Sequence, residues 1–293
     1  MTAESRVRGL RYWKGAIELA PLKGGVSNAS FTVQDSTGKY VARVGHDYPF
    51  HHVFRETEVI AARAAFEAGL SPEVVYTEPG IMVVRFMEAT TYAEADVRAN
   101  ATRCIDIVKR CHRNMGARVS GRANIFWVFH VLRDYFRSIT LAGHSQVANI
   151  PRWAREVEQL EKAQMPLAII FGHHDLLPTN FMDDGKRLWL IDWEYGGFGT
   201  AMFDLANIAS NNQFTEMAEH DLLTQYFERV PDQTMLRSFY AMKAASALRE
   251  AIWGMVSEIH LNAPGVDYAA YAQEYLSRYG RVLDDYNTKF GMT

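Results

Sequence analysis

The sequence predicts an α+β chain of two lobes, a small β-rich one followed by a larger, mostly helical one. Hairpin signals fill Glu18 to Phe86, and apolar positions at helical spacing fill much of the chain from Ala93 to Tyr279. With 293 residues, 48% hydrophobic and 12% aromatic, the chain is long enough for one large or two medium domains. The expected division places an N-lobe at residues 1–88 and a C-lobe at residues 89–293.

In the first lobe, Phe31 and Val33 alternate with polar neighbours, Ser36-Thr37-Gly38 turns the chain, and Tyr40-Val41-Ala42-Arg43-Val44 runs back. From Arg55 to Ala68 the alanines, Val59, Ile60 and Phe66 carry a helix-forming pattern, stopped by Gly69 and then Pro72. Val74 to Tyr76 and Ile81 to Phe86, split by Pro79-Gly80, make a second hairpin, and Phe86 to Tyr92 connects the lobes. Helices are expected over Ala93 to Asn114, Ile125 to Ala142, Trp153 to Lys162 and much of Met202 to Tyr279. Inside this helical half, the apolar runs Pro166 to Phe171 and Leu188 to Ile191 read as strands that deliver polar residues to a cleft.

Composition narrows the function. Lys and Arg (31) are outnumbered by Asp and Glu (34), the net charge is -3, and no long basic run occurs, which argues against nucleic acid as a partner. No window approaches the roughly 18 uncharged apolar residues of a membrane span. Glu4, Arg6, Arg8 and Arg11 interrupt any apolar leader, so a cytoplasmic protein with no membrane insertion is expected. Cys104 and Cys111 fall about two turns apart on one predicted helix, too far to bridge, which suits a reducing compartment. The oligomeric state is open, a dimer being possible.

The chemistry concentrates in His173-His174-Asp175-Leu176-Leu177-Pro178-Thr179-Asn180 and Ile191-Asp192-Trp193-Glu194-Tyr195. Asp175 and Asn180 have the spacing of a kinase-type catalytic loop, in which an Asp meets the acceptor hydroxyl and an Asn five positions on holds Mg²⁺. Asp192 supplies a second metal carboxylate, and the turn Asp183-Asp184-Gly185 makes a hairpin able to carry the two acidic groups to opposite sides of one phosphate. Two anions held this close need a cation between them.

On the nucleotide side, Gly24-Gly25-Val26-Ser27-Asn28 falls between the first two predicted strands, where backbone N–H groups and the Ser27 hydroxyl can bond phosphate oxygens. No Walker-type P-loop occurs. Where eukaryotic-type kinases carry a strand lysine, this chain reads Val41-Ala42-Arg43, so a planar fork replaces a point charge. Glu58 in the following helix is its natural partner and Glu56 the rival.

These motifs, with Arg55-x-x-Glu58 and Phe203-Asp204-Leu205-Ala206-Asn207, stand in an order that resembles the choline/ethanolamine kinase family of the aminoglycoside phosphotransferase and protein-kinase-like superfamily. The resemblance spans roughly Leu22 to Tyr279 and implies a bilobal protein-kinase-like fold and ATP-dependent phosphorylation of a small hydroxyl compound. It implies Asp175 as the catalytic Asp, Asn180 and Asp192 as Mg²⁺ ligands, and Arg43 with the Gly24 loop as contacts to the ATP phosphates. His173 braces the loop, and His174, at a variable position, does less. Eukaryotic choline kinases usually carry a histidine and an acidic residue after the Asp-x-x-Asn element, whereas this chain has Ile208-Ala209-Ser210-Asn211-Asn212.

The acceptor is expected to be choline, ethanolamine or a related amino alcohol. A quaternary ammonium has no hydrogen-bond donor, so aromatic faces and carboxylates must bind it. Trp193, Tyr195, Trp253 and Tyr271 are the candidate faces and Glu194 the compensating charge, with Tyr268 also nearby in sequence. An aminoglycoside or other sugar-hydroxyl kinase is the nearest rival, and a catalytically silent pseudokinase the rival from another class; the intact Asp175, Asn180 and Asp192 count against the latter.

Overall fold

The computed structural model describes residues 2–22, 28–261, 263 and 265–291. A short helix α1 (Ala3–Arg8) precedes β1 (Glu18–Leu22), β2 (Ala29–Asp35) and β3 (Gly38–Val44); helix α2 (Arg55–Glu67) follows, then β4 (Val74–Glu78) and β5 (Ile81–Arg85). These strands form one antiparallel sheet in the order β1-β2-β3-β5-β4. Alternation along β3 buries Tyr40, Ala42 and Val44 on one face, with Val7, Leu10, Val33 and Val83. Because successive side chains point to opposite faces, Arg43 is left on the other. That face looks towards α2.

The remainder of the chain is mostly helical. It runs through β6 (Thr90–Thr91), α3 (Glu94–Ala99), α4 (Ala101–Asn114), β7 (Asn124–Ile125), α5 (Val128–Leu141), α6 (Ile150–Lys162), β8 (Ile169–Gly172), β9 (Phe181–Asp183), β10 (Leu188–Leu190) and β11 (Gly197–Thr200). It closes with α7 (Ala201–Asn211), α8 (Glu216–Phe227), α9 (Gln233–His260) and α10 (Tyr268–Phe290). Strands β9 and β10 form the hairpin expected around Asp184-Gly185, with Gly185 at φ 81°. Their edge pairs with β6, which ties the connection between the lobes to the catalytic hairpin.

Two expected helices differ from observation. The stretch Ala93 to Asn114 breaks at Asn100, whose side-chain amide donates to the Asp96 carbonyl at 2.9 Å; such local bonding competes with the helix ladder. Ile125, expected to open a helix, pairs in β7 with Phe198 of β11, and the helix starts at Val128. Both cysteines lie buried and unbridged on α4. No described helix is long and apolar enough to cross a membrane.

Helix α9 is the axis of this half. Asp232 caps its first turn by accepting the Met235 N–H at 2.9 Å, and most of its length is buried against α5, α6, α7 and α10. The main apolar core is continuous from Ala61 and Ala65 of α2, through Leu176 and Leu190 beside the catalytic loop, to Ala245 and Leu248 of α9. Helices α9 and α10 approach closely at Gly254, where an added Cβ would lie 3.1 Å from Ala272 Cβ and from the Tyr271 ring. Gly254→Val should therefore cost about 1–3 kcal/mol by overpacking. The check is the denaturation midpoint; an unchanged midpoint would mean that α10 can give way.

Candidate active site

The catalytic loop leaves β8 at Gly172 and is held by two polar residues of α7. Asp204 accepts the backbone N–H groups of His173 and His174, each at 2.8 Å, and Asn207 accepts that of Leu176 at 2.7 Å. Every residue of α7 is buried, so these polar side chains must find partners inside the protein. Asp204 also faces His112 Nε2 at 2.8 Å and His174 Nδ1 at 3.4 Å. Burial alone would raise the Asp204 pKa, but the two imidazoles hold it well below the usual carboxylate range. Gly172 is required here, because a Cβ would come within 2.9 Å of Asp204 Oδ2.

His174 is no bystander, contrary to the sequence expectation. It sits at φ 62°, fully buried, with Nε2 3.1 Å from the Gly197 carbonyl and its ring stacked on Phe126 at 4.3 Å. His173 braces the other end of the loop, its Nε2 lying 2.9 Å from the Ile191 carbonyl, and burial lowers its pKa.

Asp175 follows, buried. The Asn180 amide donates to its carbonyl at 2.8 Å and to its carboxylate Oδ2 at 3.3 Å. Burial raises the Asp175 pKa well above the carboxylate range; Arg249 opposes that rise, while Glu250, Asp192 and Glu194 add to it. Across the hairpin, Asp192 stands at φ 67°. Burial works against its charge too, but Arg43 outweighs it and the Asp192 pKa is lowered.

Arg43 bonds two acids from two directions. Its Nη2 lies 2.7 Å from Asp192 Oδ1 and its Nη1 3.1 Å from Glu58 Oε1. Glu58 continues to Arg55 Nη1 at 2.6 Å, and the same nitrogen reaches Glu194 Oε2 at 3.1 Å. The five charges form an open chain that alternates in sign, whose two acidic ends, Asp192 and Glu194, stand two residues apart in the sequence. Glu56, the rival partner, is exposed and faces Arg122 instead. Glu194, assigned from sequence to the acceptor, turns to Arg55; burial, then Asp192 and Glu58, raise its pKa to about 7 against the pull of Arg55 and Arg43.

Gly24, Gly25 and Ser27 lie outside the described residues. Asn28 is described and packs over Gly45, where a side chain would also meet Arg55 Nε at 3.0 Å.

The aromatic residues separate into two groups. Trp193 is 2% exposed, donates its indole N–H to Ser71 Oγ at 3.2 Å and packs on His173, so it belongs to the core beneath the loop and the expectation that it lines the acceptor site is corrected. Tyr195, Trp253 and Tyr271 do come together. The Trp253 indole N–H donates to the Tyr195 hydroxyl at 2.9 Å, and the Trp253 and Tyr271 rings meet edge to face at 5.5 Å. Sequence reasoning missed two residues here, Arg249 and Glu250. The Arg249 guanidinium covers the Tyr195 ring at 4.4 Å and bonds Glu250 Oε1 at 2.5 Å, while the Tyr271 hydroxyl donates to Glu250 Oε2 at 3.0 Å. The available signal was an adjacent charge pair inside the apolar run Ala244 to Ile252, which only a partnered burial allows.

A sheet carrying a cation paired to a helical glutamate, over a pinned Asp-x₄-Asn loop and a second acidic residue, defines a protein-kinase-like phosphotransferase. A sequence model of choline/ethanolamine kinases matches residues 19–240, and the chain belongs to that family, whose members are phosphotransferases with alcohol acceptors. Protein LicA of Haemophilus influenzae is 24% identical over 273 residues, covering 89% of this chain and 79% of that protein. Among solved structures, a choline/ethanolamine kinase family protein from Mesorhizobium loti superposes with a TM-score of 0.76 at 24% identity, covering 99% of this chain and 98% of the other. Choline kinase LicA from Streptococcus pneumoniae does so with a TM-score of 0.76 at 21% identity, covering 96% and 97%.

Removing the loop anchor tests this geometry. Asp204→Ala leaves two backbone N–H groups and two imidazoles without their buried acceptor and should cost about 3–5 kcal/mol. Because the folded-state pKa of Asp204 is depressed, its stabilisation is present above pH of about 4 and is lost as pH falls through the folded value. The stability gap between wild type and Asp204→Asn should accordingly narrow on acidification below about pH 4. A gap that widened in acid would contradict the assignment.

Proposed function

We propose that the protein transfers the γ-phosphoryl group of ATP to the hydroxyl of a small amino alcohol of the choline and ethanolamine class. The observation that carries this reading is Arg43: one strand-borne guanidinium bonds both Asp192, at 2.7 Å, and the helical Glu58, at 3.1 Å, so the cation for nucleotide phosphates stands at the candidate metal carboxylate. On this reading residues 1–88 and 89–293 act as the two lobes, with Gly24, Gly25, Ser27 and Asn28 on the nucleotide side.

Asn180 and Asp192 would hold Mg²⁺. Their donors fit a hard cation: the Asn180 amide nitrogen is committed to Asp175, which turns its oxygen the other way, and Asp192 is kept ionised by Arg43. Among the described residues no group of three or more His, Cys, Asp or Glu could hold a metal alone, which suits an ion that completes its shell with phosphate oxygens and water. When bound, the ion neutralises charge on the transferring and departing phosphates.

Asp175 positions the acceptor hydroxyl and takes its proton as the oxygen bonds to the γ-phosphorus and the bond to the β–γ bridging oxygen breaks. Its raised pKa makes it a stronger base than an exposed carboxylate, and Arg249 limits that rise. Tyr195, Trp253 and Tyr271 form the acceptor wall. An aminoglycoside carries several ammonium groups and calls for several carboxylates, whereas the carboxylate at this wall is Glu250, which after its bonds to Arg249 and Tyr271 keeps lone pairs for a single ammonium.

The test is ATP consumption over a panel of amino alcohols, aminoglycosides and sugar alcohols, with Asp175→Asn as control. Amino alcohols should turn over in the wild type and fall by about 10³-fold or more in the variant. Turnover of aminoglycosides alone would transfer the reading to the sugar-hydroxyl class. Asp192→Ala should abolish turnover while the fold persists, and excess chelator should do the same; full activity in chelator would exclude the metal role. Arg43→Ala should raise the KM for ATP and lower kcat with little change in acceptor KM, whereas a change in acceptor KM alone would move Arg43 to the other side of the cleft.

A further inference from the structure

Protein groups already cover part of the acceptor wall. Arg249 already occupies the face of Tyr195, at 4.4 Å. His51 occupies a face of Trp253, stacked at 5.0 Å and 21°, and is itself fixed by Tyr135 and Ser257 at 3.0 and 2.9 Å. Burial pushes the His51 pKa well below its usual value, so that ring is neutral. One face of Tyr195 and one face of Trp253 are therefore taken by protein groups.

Arg249 is the opposite case, a group with capacity left over. It is 1% exposed, and only Nη1 is engaged, by Glu250; Nε and Nη2 have no hydrogen-bond partner. A guanidinium carries its donors in a rigid planar fork, and the Nε–Nη2 edge is the side on which two N–H bonds run parallel, matched to the two oxygens of a carboxylate. Leaving such donors buried and unpaired is costly, so a buried edge of this kind calls for an anion. Arg249 is the cation that acts most strongly on Asp175, whereas on Asp192 that place belongs to Arg43. Through its contacts with Tyr195 and Glu250, Arg249 belongs to the aromatic wall, whereas the nucleotide cation Arg43 is held by Asp192 and Glu58. Glu250, held by Arg249 and Tyr271, remains as the partner for an ammonium.

We infer that the acceptor is a zwitterionic hydroxy compound, an amino alcohol bearing a carboxylate, whose carboxylate docks bidentately on the Nε–Nη2 edge of Arg249 while its ammonium faces Glu250 and Tyr271. This rests on the amino-alcohol kinase reading and sharpens it. Arg249 then sets specificity by rewarding a negative charge that choline and ethanolamine lack.

Matched acceptor pairs test it: ethanolamine against L-serine and L-homoserine, and choline against L-carnitine. Binding is followed by calorimetry in the presence of a non-hydrolysable ATP analogue, and turnover by ADP release. At least one carboxylate-bearing member should exceed its partner by about tenfold or more in affinity and in kcat/KM in the wild type. That ratio should collapse towards one in Arg249→Gln and fall by an intermediate amount in Arg249→Lys, which keeps the charge but loses the fork. The wild-type ratio stands even if a variant fails to fold. Preference for choline or ethanolamine, or binding of no carboxylate-bearing member while the nucleotide still binds, overturns the zwitterion proposal. Failure of the wild type to bind nucleotide or to phosphorylate any alcohol overturns the kinase reading itself.

Discussion

The charge chain Asp192–Arg43–Glu58–Arg55–Glu194 is the constraint on which the rest of the site depends. Its charges are drawn from strand β3, helix α2 and the loop after β10, so it is the electrostatic joint between the sheet and the catalytic hairpin. Arg43, Glu58, Arg55 and Glu194 are largely removed from water and Asp192 partly so; each arginine serves two acids, so removing either arginine takes a partner from two acids at once, a change that typically costs several kcal/mol. Such a joint adds little over an apolar substitute in raw stability, but it fixes relative position. Arg55 is further held by the His46 carbonyl at 2.9 Å and by Asp47, which accepts its backbone N–H at 2.8 Å, so the start of α2 is capped by the loop that follows β3. A nucleotide phosphate approaching Arg43 would therefore act on both halves of the protein.

The backbone is strained and over-determined on both sides of the site, in the loop after β8 and at the residue that ends the charge chain. His174 and Asp192 both adopt left-handed backbone conformations that cost non-glycine residues about 1–2 kcal/mol each. The strain persists because Asp204 grips two consecutive N–H groups, Asn207 a third, and His173 reaches the Ile191 carbonyl next to Asp192. Asn207 is in turn fixed by Ser246 of α9, at 3.2 Å. Asp175 is thus positioned from the helical core, while Asp192 is positioned from the sheet through Arg43. Their separate supports keep the two acids from collapsing onto a shared partner, as the proposed reading, with both facing one phosphate, requires.

Much of this was legible in sequence where a single periodicity or spacing decided the outcome. Alternation placed Arg43 away from the apolar face of β3, helical spacing brought Glu58 rather than Glu56 to it, and Asp184-Gly185 set the hairpin. What was hidden depended on which of several compatible partners a buried charge takes. Glu194 follows the candidate metal carboxylate and could serve the acceptor or the loop; Arg55 decides, and in sequence Arg55 stood in a motif with Glu58 that gave no sign of its second partner. Trp193 carried a signal equal to that of Tyr195, but strand and turn geometry send one ring under the loop and the other towards α9. Asp204 and Asn207 were visible as a motif. Their work was not, because the groups they hold are backbone N–H groups, which leave no trace in side-chain patterns.

On the proposed reading of the acceptor side, burial turns a charge pair into a selectivity device. In water, Arg249 and Glu250 would neutralise each other and discriminate little. Buried, they sit where each unmet hydrogen-bond valence carries a large cost, and their valences are unequal: both Glu250 oxygens are engaged, whereas the Nε and Nη2 groups of Arg249 are not. The same guanidinium lies over Tyr195, whose hydroxyl accepts from Trp253, so moving Arg249 would disturb the aromatic wall as well as the charge. An acceptor that satisfies the free edge leaves this arrangement in place. A cation seeking the Tyr195 face that Arg249 covers would have to displace a buried, paired arginine, whereas an anion meeting Nε and Nη2 would not, and on the proposed reading that asymmetry favours an anionic group in the acceptor.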